Sequence, residues 1–221
     1  MSAHGSALAL RPYQQEAIEA VESAVERGVR RPLLVLATGL GKTICFASLI
    51  ARRGGSALVL AHRDELLRQA AEKIRMAHPE LGMAVGFVAG SKNDVHAPIV
   101  VGSVQTLTRE NRLAQLPGEF TTVVIDEGHH AASRSYGRIL EHLSRSPLVL
   151  GVTATPARSD GGLGQVWDEI VYQYGVLDGI RNGYLADVCG IRVGLETRLD
   201  EVRQSGGDFD HDQLGKALVA T

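Results

Sequence analysis

Residues 33–43 have the sequence LLVLATGLGKT, in which an apolar run leads directly into a glycine-containing turn. A short, continuous apolar run is typical of a β-strand that is buried on both faces. Gly39 and Gly41 allow the backbone to curl so that its N–H groups point at phosphate oxygens. An apolar helix is predicted from about Lys42 to Arg52, which places a helix N-terminus behind the turn. This stretch therefore predicts a strand, a phosphate-binding loop and a helix in succession.

The side chains of the loop suit a nucleoside triphosphate. Lys42 can reach the β- and γ-phosphates, and the Thr43 hydroxyl can bind Mg²⁺. The full GxxxxGK[ST] pattern requires glycine at position 36, where this sequence has Leu36. We expect this departure to tighten one end of the turn and to leave the cradle of backbone amides intact. The predicted nucleotide-binding residues of the loop are Thr38, Gly39, Leu40, Gly41, Lys42 and Thr43.

Strands and helices alternate along most of the chain. A second buried strand is predicted at residues 57–61, and further strands are predicted at 84–88, 99–101, 122–125 and 148–152. Helices are predicted over residues 11–27, from Asp64 to His78 and over 134–142. Repeated β-α-β units of this kind predict an α/β fold with a mostly parallel sheet flanked by helices on both faces. Such sheets bind ligands at the carboxyl ends of their strands.

The sequence changes character after Gly175. A short helix is predicted at 176–182 and a strand at 188–193, followed by a polar segment at 196–208 and the start of a helix at 213–220. We predict that residues 1–195 form the first domain. Residues 196–221 are predicted to be a linker and the truncated start of a second unit.

Composition excludes several classes of protein. The chain has 23 Lys+Arg and 25 Asp+Glu, a net charge of −2 and a pI near 6.4. A protein that coats polyanions is therefore excluded, and any contact with nucleic acid must be local. Cys45 and Cys189 lie far apart without a metal-binding pattern, so neither a disulfide scaffold nor a zinc module is expected. The apolar runs are far shorter than the ~18 residues that cross a membrane, and the N-terminus lacks a secretory signal, so we expect no membrane partner.

Residues 123–130 have the sequence VVIDEGHH and contain a second motif, DEGH, which directly follows the strand predicted at 122–125. Adjacent carboxylates at a strand end, downstream of a phosphate loop, suit metal and base chemistry. Asp126 can hold Mg²⁺, and Glu127 can orient and deprotonate an attacking water. The candidate catalytic residues are therefore Lys42, Asp126 and Glu127, with Thr43 and Asp126 as the candidate magnesium ligands.

The sequences ATGLGKT and DEGH resemble motifs I and II of superfamily 2 helicases, the DEAD/DEAH-box-like group. Four further segments resemble other motifs of that family in the expected order: the Q motif of the XPB-like branch, and motifs Ia, Ib and III. They are LRPYQ at 10–14, AHRDEL at 61–66, VGSVQTL at 101–107 and GVTATP at 151–156. Motif II has Gly128 where Ala or Cys is more usual, a departure that we expect to be tolerated. The resemblance covers residues 10–193 and implies a RecA-like P-loop NTPase fold with ATP and Mg²⁺ as ligands.

The resemblance also implies roles for individual residues. Gln14, helped by Arg11, would recognise adenine. His129 would link the nucleotide site to Thr153 and Thr155, which relay its state to bound nucleic acid. The residues expected to contact the phosphate backbone of one strand are Arg63, Ser103, Gln105 and Thr106. Trp167 and Tyr172 are interpreted as core or interface residues.

Members of this family carry arginine fingers on a second RecA-like lobe, and nothing after Pro156 supplies one. The resemblance therefore implies the first lobe of an ATP-dependent DNA helicase or translocase, nearly inactive without its second lobe. The motor portion of a restriction enzyme has the same motifs and stays an alternative. So does a nucleotide-binding module without motor activity, whereas a small-molecule kinase would lack DEGH and TATP. We expect a cytoplasmic location in a bacterium, and a nuclear or mitochondrial one in a eukaryote.

Overall fold

The computed structural model describes residues 9–62, 64–155 and 162–190, together with 204–205 and 208–209. The chain divides into two compact units, residues 1–186 and 187–221. The first unit contains every motif described above. The second contributes a two-stranded antiparallel pair of β9 (Gln204–Ser205) and β10 (Asp208–Phe209). The domain boundary near residue 195 stays a prediction.

Strands and helices alternate through the first unit. Its strands are β1 (Pro32–Leu36), β2 (Ala57–Ala61), β3 (Val85–Ala89), β4 (Lys92–Asn93), β5 (Ile99–Ser103), β6 (Thr122–Asp126), β7 (Val149–Thr153) and β8 (Glu169–Tyr174). The α-helices among its described residues are α1 (Pro12–Glu26), α2 (Lys42–Arg53), α3 (Asp64–Ala77), α4 (Val104–Leu107), α5 (Glu110–Leu113), α6 (Arg134–His142) and α7 (Val176–Arg181). Short 3-10 turns occupy Pro79–Ala84, Gly128–His130 and Gly162–Gln165.

The eight strands form one sheet in the order β4-β3-β5-β2-β6-β7-β1-β8. Every neighbouring pair is parallel except β3 and β4, which are antiparallel. The predicted mostly parallel sheet is therefore confirmed. Because β6, β7 and β1 are neighbours, the loops that follow them open at one edge of the sheet.

Successive residues of each central strand face opposite sides of the sheet. In β1, Leu34 and Leu36 pack on the side covered by α1, α2 and α3, whereas Leu33 and Val35 pack on the side that contains α4 and α6. Both faces of β1 are therefore buried against apolar side chains, which explains why β1 is apolar at every position. Helices flank both faces, as the sequence predicts.

Two strands of this sheet and the strands of the second unit differ from the sequence predictions. β8 was not predicted, because its side chains are exposed or half-buried at an edge and form no continuous apolar run. β4 is only two residues long and closes a hairpin with β3. The strand predicted at 188–193 is wrong over 188–190, which belong to no strand, and Val188 is 76% exposed. The rest of that prediction and the helix at 213–220 lie outside the described residues.

Within the part of the chain described here, no helix is both long and apolar enough to cross a membrane. Cys45 is buried, Cys189 is exposed, and both are free thiols.

Leu58 lies in β2 and is fully buried, so a substitution there tests whether the side chains of the central strands are buried as described. Leu58→Ala is expected to lower the free energy of unfolding by roughly 2–5 kcal/mol, because it removes buried methyl groups and leaves a cavity. Urea unfolding measures this change. Leu177→Ala is the matched control: Leu177 is 65% exposed, so a change within about 0.5 kcal/mol is expected. Equal losses for the two variants would contradict the assigned burial.

Candidate nucleotide-binding and coupling site

Three neighbouring strands supply the candidate site. The phosphate loop follows β1, and the DEGH sequence begins with the last residue of β6. The TAT sequence of motif III begins with the last residue of β7, which lies between those two strands. The register aligns Val35 with Thr153, and Asp126 with Val152, so the ends of the three strands are level. The structure therefore brings the predicted nucleotide and coupling residues to a single edge of the sheet.

Glycine makes the curled conformation of the phosphate loop possible. Gly39 has φ = 87° and Gly41 has φ = 78°, values that side chains disfavour. Gly41 is also the N-cap of α2, so Lys42 and Thr43 begin the helix whose free N–H groups face the loop. Loop and helix end together form the anion-binding geometry that the sequence predicts.

Side chains from α1 hold the loop from behind. The Tyr13 hydroxyl donates a hydrogen bond to the Leu40 carbonyl at 2.9 Å, and Gln14 Nε2 donates to the same oxygen at 3.1 Å. Leu40 itself is fully buried. A Cβ at position 41 would lie 2.6 Å from Gln14 Nε2, so the absence of a side chain at Gly41 permits this contact.

Gln14 is engaged at both ends of its amide. Its Oε1 accepts a hydrogen bond from the Arg11 backbone N–H at 3.0 Å, while Nε2 binds Leu40, and the residue is only 5% exposed. Arg11 is exposed, with its guanidinium 5.2 Å from the centre of the Tyr184 ring. The two predicted adenine-binding residues thus lie beside the phosphate loop, with Arg11 presented to solvent and Gln14 tied to the loop.

The carboxylates of DEGH lie in unusual surroundings. Burial, followed by repulsion from Glu127, raises the pKa of Asp126. A hydrogen bond from the Glu127 N–H to Asp126 Oδ1 at 3.0 Å opposes this shift, as do Lys42 and His129. Glu127 has φ = 54° and ψ = 52°, and it is the one described residue other than glycine with a positive φ. A residue with a side chain holds this conformation only when its surroundings enforce it.

His129 connects the carboxylates to the end of β7. Its Nδ1 lies 3.0 Å from Thr153 Oγ1 and 3.3 Å from Glu127 Oε2. The Thr153 hydroxyl donates to the Thr155 carbonyl and accepts from the Thr155 N–H, both at 3.2 Å. Since Thr153 uses its proton on Thr155 and a carboxylate can only accept, we assign the proton to Nδ1 of His129. The predicted coupling residues therefore form one continuous network.

The donor set fits Mg²⁺. Thr43 and Asp126 offer oxygen atoms, which this hard cation prefers, and a cation beside Asp126 would offset the repulsion from Glu127. No three His, Cys, Asp or Glu side chains converge into a metal site among the described residues.

The predicted nucleic-acid contacts fall into three groups. Gln105 is exposed at the start of α4. Ser103 and Thr106 are buried, and Thr106 Oγ1 accepts a hydrogen bond from the Gly90 N–H at 3.2 Å. The structure thus gives Thr106 a role in holding the β3–β4 turn. Arg63 lies outside the described residues.

Sequence reasoning missed two features of the site. The first is the hydrogen bond from the Tyr13 hydroxyl to the Leu40 carbonyl, which joins residues 27 positions apart, so no local sequence pattern predicts it. The second missed feature is a hydrogen bond of 3.1 Å from the Trp167 indole N–H to the Gly128 carbonyl. The interpretation of Trp167 as a core residue is confirmed.

The family described as "Type III restriction enzyme, res subunit" matches residues 7–158. IRC3 of Saccharomyces cerevisiae, named as an ATP-dependent helicase, is 34% identical over 230 residues, covering 96% of this chain and 33% of IRC3. The DNA 3'-5' translocase XPB2 of Sulfurisphaera tokodaii is 31% identical over 152 residues, covering 69% of this chain and 32% of that protein. The solved helicase domain of Pyrococcus furiosus Hef superposes with a TM-score of 0.60 and 27% identity, covering 71% of this chain and 35% of that one.

The site defines a RecA-like P-loop nucleotide-binding domain. The chain belongs to the Type III restriction enzyme res-subunit family of superfamily 2 helicases, which includes ATP-dependent motors. The chain spans about a third of the length of the curated relatives it matches.

The electrostatics of Asp126 predict an effect on stability. The raised pKa means that its contribution to folding is full below the usual value of 3.8 and is lost as the pH rises through the pKa of the folded chain. At pH 7 the charged carboxylate therefore destabilises the fold. Asp126→Asn, measured by thermal unfolding in EDTA, is expected to raise the Tm at pH 7, with a gain that shrinks as the pH falls toward 4.

The exposed Glu72 of α3 provides the control. Glu72→Gln is expected to leave the Tm close to that of the wild type at both pH values. A lower Tm for Asp126→Asn at pH 7 would show that burial does not penalise this charge.

Proposed function

We propose that the chain is the first lobe of an ATP-dependent DNA translocase or helicase. It would bind Mg-ATP and the backbone of one nucleic-acid strand, and contribute its P-loop and DEGH sequence to ATP hydrolysis. The observation that carries this proposal is the network from Glu127 through His129 to Thr153 and Thr155. A plain nucleotide-binding module needs no such connection between its hydrolytic carboxylate and a neighbouring strand.

The proposed chemistry follows from the positions of the side chains. Lys42 begins the helix at the phosphate loop, where its charge can neutralise a terminal phosphate. Glu127 is 34% exposed and can accept a proton from an attacking water. Mg²⁺, held by Asp126 and Thr43, would supply positive charge to the phosphates. Arg11 and Gln14 would bind the adenine base.

The threonines would transmit the state of the nucleotide site. A change at Glu127 reaches Thr153 through the single His129 ring. Thr153 is fully buried, whereas Thr155 is exposed at the end of the strand. This arrangement would carry a change at the carboxylate to the surface beside bound nucleic acid.

DNA is the proposed substrate, because the relative XPB2 is named as a DNA translocase. Gln105 would contact the phosphate backbone directly, together with Arg63, and Ser103 and Thr106 would shape the loop around the strand. Motor activity within a restriction enzyme is the second candidate, favoured by the description of the matching family. A nuclease domain elsewhere in the protein would distinguish it.

The proposed partner is a second RecA-like lobe. Lys42 and Glu127 would lie on one side of the bound nucleotide, and an arginine finger of the second lobe would approach from the other. Arginine fingers accelerate related phosphoryl transfers by ~10³–10⁵. The first lobe alone should therefore bind nucleotide weakly and hydrolyse it slowly. We propose a cytoplasmic location if the protein is bacterial, and a nuclear or mitochondrial one if it is eukaryotic.

Lys42 gives the direct test of nucleotide binding. Lys42→Ala is expected to abolish measurable binding of a fluorescent ATP analogue without loss of the folded circular dichroism spectrum, because the side chain serves the ligand rather than the core. Lys73→Ala, on the exposed side of α3, should bind as the wild type does. If Lys42→Ala binds with wild-type affinity, the phosphate site lies elsewhere.

Glu127 gives the test of hydrolysis. Glu127→Gln keeps the size of the side chain and an acceptor oxygen for His129 but removes the base. In the full-length protein we expect ATP binding to persist and kcat to fall by at least about 10². The exposed Glu141→Gln is the matched control, and should hydrolyse ATP normally. Unchanged hydrolysis by Glu127→Gln would assign the base to another residue.

A further inference from the structure

Trp167, the single tryptophan of the chain, packs directly beneath the DEGH turn. It precedes the edge strand β8 and is only 5% exposed. Its indole N–H donates a hydrogen bond to the Gly128 carbonyl at 3.1 Å. The same carbonyl accepts from the Ala131 N–H at 3.1 Å, so both of its lone pairs are used. Trp167 therefore holds the peptide that follows Glu127 from inside the core.

Two glycines make this contact possible. A Cβ at Gly128 would lie 3.2 Å from Trp167 Cζ2 and 3.3 Å from the Gly151 Cα atom. A Cβ at Gly151 would lie only 2.6 Å from the Trp167 ring and 2.8 Å from Leu33 Cδ1. A methyl group at position 128 would therefore crowd the ring, which would have to move by a few tenths of an ångström. This gives a physical reason for glycine, rather than alanine, as the third residue of DEGH here.

The indole contacts the two backbone segments that carry the coupling network. Gly128 adjoins Glu127, whose left-handed backbone conformation must be enforced by its surroundings. Gly151 lies in β7, the strand that carries Thr153. Trp167 consequently touches both the turn that carries the proposed base and the strand that carries Thr153.

We propose that Trp167 is a positioning residue that, matched to Gly128 and Gly151, fixes Glu127 and His129 relative to Thr153. This inference rests on the proposed ATP hydrolysis by Glu127. Trp167 touches no substrate and acts through the Gly128 carbonyl. Its loss should therefore affect the rate of hydrolysis and leave the phosphate loop able to bind nucleotide.

The first test is Trp167→Phe in the full-length protein, which keeps an aromatic side chain and removes the N–H donor. We expect kcat for ATP hydrolysis in the presence of single-stranded DNA to fall about tenfold, with the affinity for a fluorescent ATP analogue unchanged within about twofold. Phe120→Leu is the matched control. Phe120 is buried in the same core cluster but lies before β6, at the opposite end of the strand from Asp126. It should lose stability without losing turnover.

The second test is a double-mutant cycle with Gly128→Ala. The added methyl group should shift the indole by a few tenths of an ångström against the Gly128 carbonyl, so Gly128→Ala alone is also expected to lower kcat about tenfold. Because both changes break one contact, the double variant should be about as slow as either single variant, whereas independent effects would multiply to about a hundredfold.

The third test needs no variant to fold. The single indole N–H of the wild-type chain should give one ¹⁵N–¹H signal that exchanges slowly with water, since the donor is buried and hydrogen-bonded. Rapid exchange, a wild-type kcat in Trp167→Phe or multiplicative effects in the cycle would each overturn the proposal. A wild-type protein that neither binds nor hydrolyses ATP would instead overturn the proposed function, and slow indole exchange would then still support the structural contact.

Discussion

The parallel alignment of β6, β7 and β1 is the constraint on which the rest of the site depends. Parallel pairing places the carboxyl ends of all three strands at one edge, and the register makes those ends level. The phosphate loop and the DEGH turn then face each other across the end of β7. One histidine is long enough to span from Glu127 to Thr153 at that spacing. A slip of one residue in β7 would turn Thr153 to the other face of the sheet and break this bridge.

The site is held in place at a cost in stability that the surrounding core offsets. Asp126 is a half-buried carboxylate next to a second one, and Glu127 has a left-handed backbone. Neither arrangement would persist in a flexible loop. Behind them, α1 ties the phosphate loop through the Tyr13 hydroxyl, and Trp167 ties the DEGH turn. Both contacts reach the site from inside the fold, so they do not occupy the surface where a nucleotide would bind. The unfavourable charge and backbone conformation therefore lie where the chemistry is proposed.

Much of this arrangement can be predicted from the sequence. The features that cannot be predicted depend on contacts that only the folded chain creates. The continuous apolar runs identify β1 and β2, because strands buried on both faces carry that signal, whereas the half-exposed β8 carries none. Glycine at positions 39 and 41 indicates where the backbone can adopt a positive φ. The amino-acid sequence around Glu127 gives no such indication, although Glu127 also has a positive φ. Likewise, the partner of Gln14 and that of Trp167 lie far along the chain, and only the tertiary fold selects them.

We propose that this chain is the first lobe of a two-lobe motor. The most direct measurement is steady-state ATP hydrolysis by residues 1–221, with and without single-stranded DNA, beside a longer form of the protein that carries a second RecA-like lobe. We expect the short chain barely to exceed background and to respond little to DNA, while the longer form recovers both turnover and stimulation by DNA. Turnover by the short chain at ~1–100 s⁻¹, the range of complete phosphoryl-transfer enzymes, would contradict it.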